Sequence, residues 1–317
     1  MIPGKKILVS DKVHPLLVNG LKESGFTVDY HPKMPYDQVK SIVNSYNGII
    51  INSKVICDKD FLDQVTHLDF IGRLGSGLDI IDLPYAASRG IKIISSPEGN
   101  ANAVAEHAMA MLLGLINNIN RSHNSIREFQ WDREPNRGEE LLGKTIGLIG
   151  YGHTGPALAG KLTGYDVRVL AYDKYRKDYN GDNQVEEASL DHLLKESDIV
   201  SIHLPLTAET NNLVDLDFLS KCKHGTIIIN TSRGKILDSE ALLQNIESGH
   251  IKGACLDVIE NEKPDTWDSN EHRVYGALLK RDDVVITPHI AGWTHRSLEL
   301  IASIILRKIR THYKLQA

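Results

Sequence analysis

The sequence predicts an α/β protein made of two doubly wound parallel-sheet domains. Three observations carry this reading. Short apolar runs alternate with segments of helical period across short loops, the pattern of parallel strands joined by crossover helices. A length of 317 residues is enough for two such domains. One stretch, residues 144–173, has the order strand, glycine turn, helix, strand, acid.

Residues 6–10 (KILVS) read as a buried strand. Residues 15–24 place Leu16, Leu17 and Leu21 at helical spacing and stop at Gly25. Residues 26–30 form a second strand, 36–46 a helix ended by Asn47-Gly48, 49–51 a third strand and 58–62 a short helix start. Residues 68–74 are a strand running into Gly75-Ser76-Gly77, and 91–95 another, stopped by Pro97. Residues 99–121 are the longest helical candidate. Val104, Ala108, Met111, Leu112 and Leu115 cover much of its circumference, which predicts burial and a bridge between the two domains. Residues 129–137 are polar and irregular.

The second domain starts with the apolar run 145–149, which ends in Gly150-x-Gly152-x-x-Gly155. A helical segment with Ala157, Leu158 and Leu162 follows, then strand 167–172 closed by Asp173. Gly150 permits the tight turn, Gly152 lets a pyrophosphate approach the backbone, and Gly155 lets helix and strand pack closely. The helix N-terminus offers free N–H groups to phosphates, and Pro156 lacks one where none is needed. His153 and Thr154 complete this loop. Asp173 stands eighteen residues past Gly155 and can accept both ribose hydroxyls. Its charge opposes a 2′-phosphate and so favours NAD over NADP. Lys174 and Arg176 read as solvated loop charges. Further on, 190–196, 216–221 and 239–248 read as helices, and 199–204, 226–230, 254–259 and 284–287 as strands. Residues 260–270 read as a polar loop. The last helix, 297–313, is apolar at Leu298, Ile301, Ile304, Ile305 and Ile309.

Composition excludes several function classes. Net charge is −5 with no basic run, which argues against nucleic acid or an anionic membrane as partner. The three cysteines, Cys57, Cys222 and Cys255, form no CxxC pair and no metal spacing, as expected in a reducing compartment. The start of the chain, MIPGKKILVSDK, has no signal-like apolar core, and the apolar run 108–116 is too short to span a bilayer. The expected protein is cytoplasmic, with no membrane association and no metal site.

Ligands of open parallel sheets bind outside the carboxyl ends of the strands. Unusual residues cluster at such ends: Gly75-Ser76-Gly77, His203-Leu204-Pro205, Arg233, residues 257–262 and His289. Hydride transfer to a 2-oxo acid needs a cation for the carboxylate and oxo group. Arginine suits this with its planar, permanently charged fork, and Arg233 sits between Ser232 and Gly234 at a strand end. It needs a proton donor that titrates near neutrality, a role for His289 after Thr287-Pro288. An acid beside that histidine would favour the imidazolium and fix the ring. Glu260 and Glu262 both lie in the preceding loop, and spacing does not choose between them.

With these residues in place, the chain resembles the D-isomer-specific 2-hydroxyacid dehydrogenase family nearly end to end. The resemblance is carried by GLIGYGHTG (147–155), AYD (171–173), HLPLTAET (203–210), INTSRGKILD (229–238), GACLDVIENE (253–262) and TPHIAGWT (287–294). It implies that Arg233 binds the substrate carboxylate and carbonyl, that His289 is the general acid/base, and that Glu262 is its acid partner, leaving Glu260 a loop charge. It also implies a Rossmann NAD domain, residues 99–290, inserted into a flavodoxin-like substrate domain, residues 1–98 and 291–317. The cofactor would meet Gly150, Gly152, His153, Thr154, Gly155, Asp173, His203, Leu204, Pro205, Thr231, Ser232, Asp257 (on the nicotinamide side) and Gly292. The substrate, a small 2-hydroxy or 2-oxo acid, would meet Asn52, Ser53, Lys54, Ser76, Gly77, Arg233 and His289. Family members are usually dimers joined around the region here numbered 100–140, so a homodimer is expected.

The stretch SPEGNANAVAEHAMAMLLGL (96–115), REPNRGEELLGKTIG and Trp293 resemble short phosphoglycerate-dehydrogenase-like members. One departure is that Asn52-Ser53 stands where phosphoglycerate enzymes typically have arginine-serine, with Lys54 as the neighbouring cation. Asn52 cannot pair with a phosphate dianion as arginine can. The resemblance leaves two other readings. One is an NADP-preferring glyoxylate or hydroxypyruvate reductase, which Asp173 opposes. The other is a non-enzymatic NAD(H)-sensing interaction protein on the same scaffold.

Overall fold

The apolar runs of the first hundred residues assemble into one parallel sheet in the computed structural model, which describes residues 4–315. In chain order come β1 (Lys6–Val9), α1 (Pro15–Glu23), β2 (Thr27–Tyr30), α2 (Tyr36–Ile42), β3 (Gly48–Ile51), α3 (Lys59–Asp63), β4 (Phe70–Arg73), α4 (Leu83–Ser88) and β5 (Lys92–Ser95). The sheet order is β2-β1-β3-β4-β5, with every pairing parallel. Period-two alternation decides the faces. Leu8, Ile49, Ile51 and Ile71 point to the side covered by Val39, Phe61, Leu62 and Ala86. Ile7, Val9, Ile50, Phe70 and Ile94 point to the other side.

Residues 101–292 fold around a second parallel sheet. Here α5 (Ala101–Ile116) and α6 (Ile119–Arg127) precede β6 (Thr145–Ile149), α7 (Thr154–Leu162), β7 (Arg168–Tyr172), β8 (Val185–Glu187), α8 (Leu190–Glu196) and β9 (Ile199–Ile202). Then follow α9 (Leu216–Ser220), β10 (Thr226–Asn230), α10 (Ser239–Glu247), β11 (Ile251–Leu256), α11 (Ser269–Leu279) and β12 (Val284–Ile286). The order β12-β11-β10-β9-β6-β7-β8 is doubly wound, and the direction of winding reverses between β6 and β9. Residues of α5 and α7, such as Ala108, Leu112 and Leu158, pack one face. Residues of α8 to α11, such as Leu193, Phe218, Leu242 and Val274, pack the other.

The chain returns to the first sheet with α12 (His295–His312). The two compact units are Met1–Asn100 with Trp293–Ala317, and Ala101–Gly292. Residues 1–3 and 316–317 of the sequence-expected substrate domain lie outside the described residues. Ile301, Ile305, Leu306 and Ile309 of α12 complete the core formed by Ile7, Val9, Leu17, Ile50 and Phe70. Ile305 is fully buried, so Ile305→Ala should destabilise this unit by about 3 kcal/mol through lost contacts and a residual cavity. Denaturant unfolding of the whole chain measures it. An unchanged midpoint would place Ile305 outside the stabilising core.

Several elements differ from the sequence reading. The long helix expected over 99–121 breaks at Asn118, whose φ is 53°. The apolar part becomes α5, the first helix of the second unit. The polar remainder becomes α6, which has no buried residue. The 260–270 loop leads into an unforeseen helix, α11, whose N-terminus is fixed by a reciprocal capping box between Asp268 and Glu271. The strand expected at 254–259 runs Ile251–Leu256, because Asp257 already bonds to the loop after β12. Among the described residues no helix is long and apolar enough to cross a membrane. The three cysteines are free and buried, and burial raises each thiol to about 12.

Candidate active site

Because every pairing in the second sheet is parallel, all its strand carboxyl ends lie along one edge. The crevice of a doubly wound sheet opens where the winding reverses, here between β6 and β9. Gly150 leaves β6 with φ 94°, and a Cβ there would lie 2.3 Å from the His203 carbonyl oxygen at the end of β9. A Cβ on Gly155 would lie 2.3 Å from the Gly150 carbonyl oxygen, so the turn closes only with glycine. Gly152 faces open space. The N-terminal N–H groups of α7 stand beside it, past exposed His153 and half-buried Thr154.

At the end of β7, Asp173 is half-buried. Its Oδ2 accepts the Tyr151 N–H, and its Oδ1 those of Tyr175 and Arg176, all at 2.8 Å. Burial alone would raise this carboxyl, but the three N–H donors outweigh it and hold it below the usual carboxylate range. Arg176 is more than the solvated charge expected. Its guanidinium lies over the rings of Tyr151 and Tyr179, at 5.2 and 5.7 Å, and donates to the Tyr151 carbonyl at 2.8 Å. Lys174 pairs with Glu209 at 2.8 Å.

His203 and Thr231 follow the adjacent strands β9 and β10. Both are buried, and His203 Nδ1 and Thr231 Oγ1 have no hydrogen-bond partner among the described residues. Burial pushes the His203 imidazole down to about 4, so it is neutral at physiological pH, and its Nε2 meets the Ser201 hydroxyl at 2.9 Å. Buried polar atoms normally have partners, so two orphans beside a glycine turn mark positions a polar ligand would satisfy. Leu204 is half-buried and Pro205 exposed beside them, and the Ser232 hydroxyl donates to the Ile202 carbonyl at 2.5 Å. Open Gly152, the ionised Asp173 and these orphans fit a pyrophosphate flanked by a diol.

The three strand ends further along, those of β10, β11 and β12, lead to Arg233, Glu262 and His289. Arg233 follows β10, and Nη1 donates to the Ser232 carbonyl at 2.8 Å while the Asn230 amide donates to the Arg233 carbonyl at 3.0 Å. His289 follows β12, and its Nδ1 lies 2.9 Å from Glu262 Oε2. This geometry separates the two glutamates. Glu260 is neither the partner nor a mere loop charge: it accepts the Ser239 N–H at 2.6 Å and the Tyr275 hydroxyl at 3.1 Å. Asp257, the residue assigned to the nicotinamide side, is 1% exposed, and its carboxylate is held by the chain itself. The Thr287 hydroxyl, Ile290 N–H and Ala291 N–H all donate to its carboxylate. Gly292 follows, half-buried.

In the first unit, Asn52, Ser53 and Lys54 follow β3, and Ser76 and Gly77 follow its neighbour β4. The Asn52 N–H donates to Asp11 at 2.8 Å. The Lys54 ammonium donates to the carbonyls of Ser10 and, at 3.1 Å, Pro32, and lies 3.8 Å from Asp11. The one side chain expected to supply a cation in this loop is therefore held against the end of β1.

Residues 109–291 match the family described as "D-isomer specific 2-hydroxyacid dehydrogenase, NAD binding domain". The chain belongs to that family. This member of the D-isomer-specific 2-hydroxyacid dehydrogenases is 36% identical over 273 residues to the hydroxypyruvate reductase of Thermotoga maritima, covering 86% of this chain and 87% of that one. It is 34% identical to the D-3-phosphoglycerate dehydrogenase of Archaeoglobus fulgidus, matching 96% of its own length but only 56% of that longer protein. Among solved structures it resembles a D-lactate dehydrogenase of Aquifex aeolicus crystallised with NAD and lactic acid, with 28% identity, a TM-score of 0.83 and coverage of 98% of this chain and 96% of that one. The second unit is thus this family's NAD-binding Rossmann domain. Among the described residues, no group of three or more His, Cys, Asp or Glu is placed to hold a metal ion.

Sequence reasoning missed His107, whose Nε2 lies 2.9 Å from the Thr287 hydroxyl, and gave Thr287 no role. A histidine in the apolar run of α5 was the available signal.

Proposed function

We propose that the protein is an NAD-dependent dehydrogenase that interconverts a small, unphosphorylated 2-oxo acid and its D-2-hydroxy acid, hydroxypyruvate being the first candidate. The observation that carries this reading is the His289–Glu262 pair on the sheet edge that also presents Arg233 and the dinucleotide turn. The dinucleotide, when bound, supplies or removes the hydride. Arg233 holds the carboxylate and steadies negative charge developing on the C2 oxygen. Glu262 accepts from Nδ1, so the Nδ1 position keeps its proton and Nε2 is left to give a proton to that oxygen, or to take it in the oxidative direction. The balance is one 2-oxo acid, one NADH and one proton in, and one 2-hydroxy acid and NAD out.

The engagement of Lys54 with Ser10, Pro32 and Asp11, together with Asn52 in place of an arginine, supports an unphosphorylated substrate. NADH oxidation by the purified protein against 3-phosphohydroxypyruvate, hydroxypyruvate, glyoxylate, pyruvate and a branched 2-oxo acid tests it. Turnover confined to the phosphorylated acid would refute the substrate assignment. NADH binding without any turnover would favour the NAD(H)-sensing reading.

Asp173 supports NAD over NADP. Since it stays ionised at any pH above about 5, the preference should be flat from there to pH 9. Asp173→Ala should raise the NADPH/NADH affinity ratio by roughly tenfold, about 1.4 kcal/mol, read by fluorescence titration. A ratio that does not move would remove Asp173 from ribose selection.

The family's dimer region supports a homodimer in this protein. Phe129 is 99% exposed and Trp131 80%, beside exposed Ile119, Ile126 and Leu142. Light scattering should give twice the 35.3 kDa chain, and Trp131→Glu should shift the mass toward one chain. A monomer at micromolar concentration would refute this.

A further inference from the structure

A carboxylate buried as deeply as that of Asp257 persists only if its lone pairs are filled. Among the described residues, the hydrogen-bond donors to its carboxylate belong to the loop that carries His289. The Asp257 main-chain carbonyl accepts the His289 N–H at 2.8 Å. Oδ1 accepts the Thr287 hydroxyl at 2.6 Å and the Ile290 N–H at 2.9 Å, and Oδ2 accepts the Ala291 N–H at 2.7 Å. The loop needs such anchoring, because His289 has φ 55°, a left-handed backbone that L residues rarely adopt.

From α5, His107 reaches this cluster. Its Nε2 lies 2.9 Å from Thr287 Oγ1 and 3.6 Å from Asp257 Oδ1. A threonine hydroxyl has one hydrogen, and an ionised carboxylate only accepts. Thr287 therefore gives its hydrogen to Asp257, and toward His107 it can only accept. His107 Nε2 must carry a proton. The donors then run in one direction, from His107 to Thr287 to Asp257, and each bond polarises the next.

We propose that His107 is a positioning residue: through Thr287 and Asp257 it fixes the loop that aims His289. The inference rests on the reading of His289 as the acid/base, and its test has a readout that does not depend on activity. His107→Leu keeps bulk and removes the donor, whereas His107→Gln puts an amide N–H at similar reach. Amide hydrogen exchange at Ile290 and Ala291 should accelerate about tenfold in His107→Leu and stay within about threefold of wild type in His107→Gln. With a 2-oxo acid that the wild type reduces, kcat should fall about tenfold in His107→Leu at unchanged NADH affinity, and His107→Gln should recover it. Thr287→Val against Thr287→Ser repeats the contrast should His107→Leu not fold, and His107→Leu added to Thr287→Val should cost little more. Nitrogen NMR of the wild-type ring should show a protonated Nε2.

Wild-type exchange at Ile290 and Ala291 in His107→Leu would overturn the inference. So would a His107→Gln enzyme as impaired as His107→Leu, since shape rather than a donor would then matter, and so would an unprotonated Nε2. A wild-type protein that turns over no 2-oxo acid would refute the proposed function alone, and the exchange contrast would still decide the relay.

Discussion

Arg233→Ala is expected to lower kcat/KM for a 2-oxo acid by a hundred- to thousandfold, about 3 kcal/mol of barrier, while NADH still binds. The reasoning is electrostatic. The substrate brings a carboxylate, and reduction puts further negative charge on the C2 oxygen, so an interaction that grows along the reaction coordinate lowers the barrier rather than only KM. Arg233 is half-buried; its guanidinium Nη1 donates to the Ser232 carbonyl, and its own main-chain carbonyl is held by the Asn230 amide. A pre-placed cation of this kind needs little reorganisation. Arg233→Lys keeps the charge but loses the two-pronged geometry, so a deficit of roughly tenfold should remain. Equal turnover in wild type and Arg233→Ala would take this residue out of the reaction.

Much of the fold was legible because two periodicities rarely deceive: β-branched apolar runs such as residues 226–230, and the i, i+3, i+4 stripe of Ile301, Ile305 and Ile309. What failed was local. Asn117-Asn118 can break a helix only by taking a left-handed backbone, and sequence does not announce when it will. The helix at Ser269–Leu279 was announced by Asp268-x-x-Glu271, but its mixed composition hid it. In the site, strand-end position located Gly150, Arg233 and His289, because the geometry of parallel sheets dictates it. Position alone did not say which glutamate reaches His289. That depends on side-chain direction in an irregular loop, where Glu260 turns to Ser239 and Tyr275 while Glu262 turns to the ring. Nor did it reveal that Asp257 faces inward, or that residues 180 apart in sequence, His107 and Thr287, meet in space.

His289→Gln should be more damaging still for reduction, with a thousandfold or greater loss in kcat, at the upper part of the range for removing a general acid. Glutamine can donate a hydrogen bond to the C2 oxygen but cannot transfer a proton. Changes at Glu262 should be graded and smaller. The Glu262 and His289 side chains are 43% and 44% exposed, and water screens their attraction, so the pair adds little to stability. Its value is orientation: an acceptor on Nδ1 fixes the ring and points Nε2 outward. Glu262→Gln keeps an acceptor oxygen and should cost only about tenfold, whereas Glu262→Ala frees the ring and should cost about a hundredfold. Both variants should unfold at wild-type denaturant concentrations. The pattern can be read from kcat and denaturation midpoints on the same preparations. If Glu262→Gln proved as inactive as His289→Gln, the carboxylate's charge rather than its geometry would be what the histidine requires, and the orientation argument would fail.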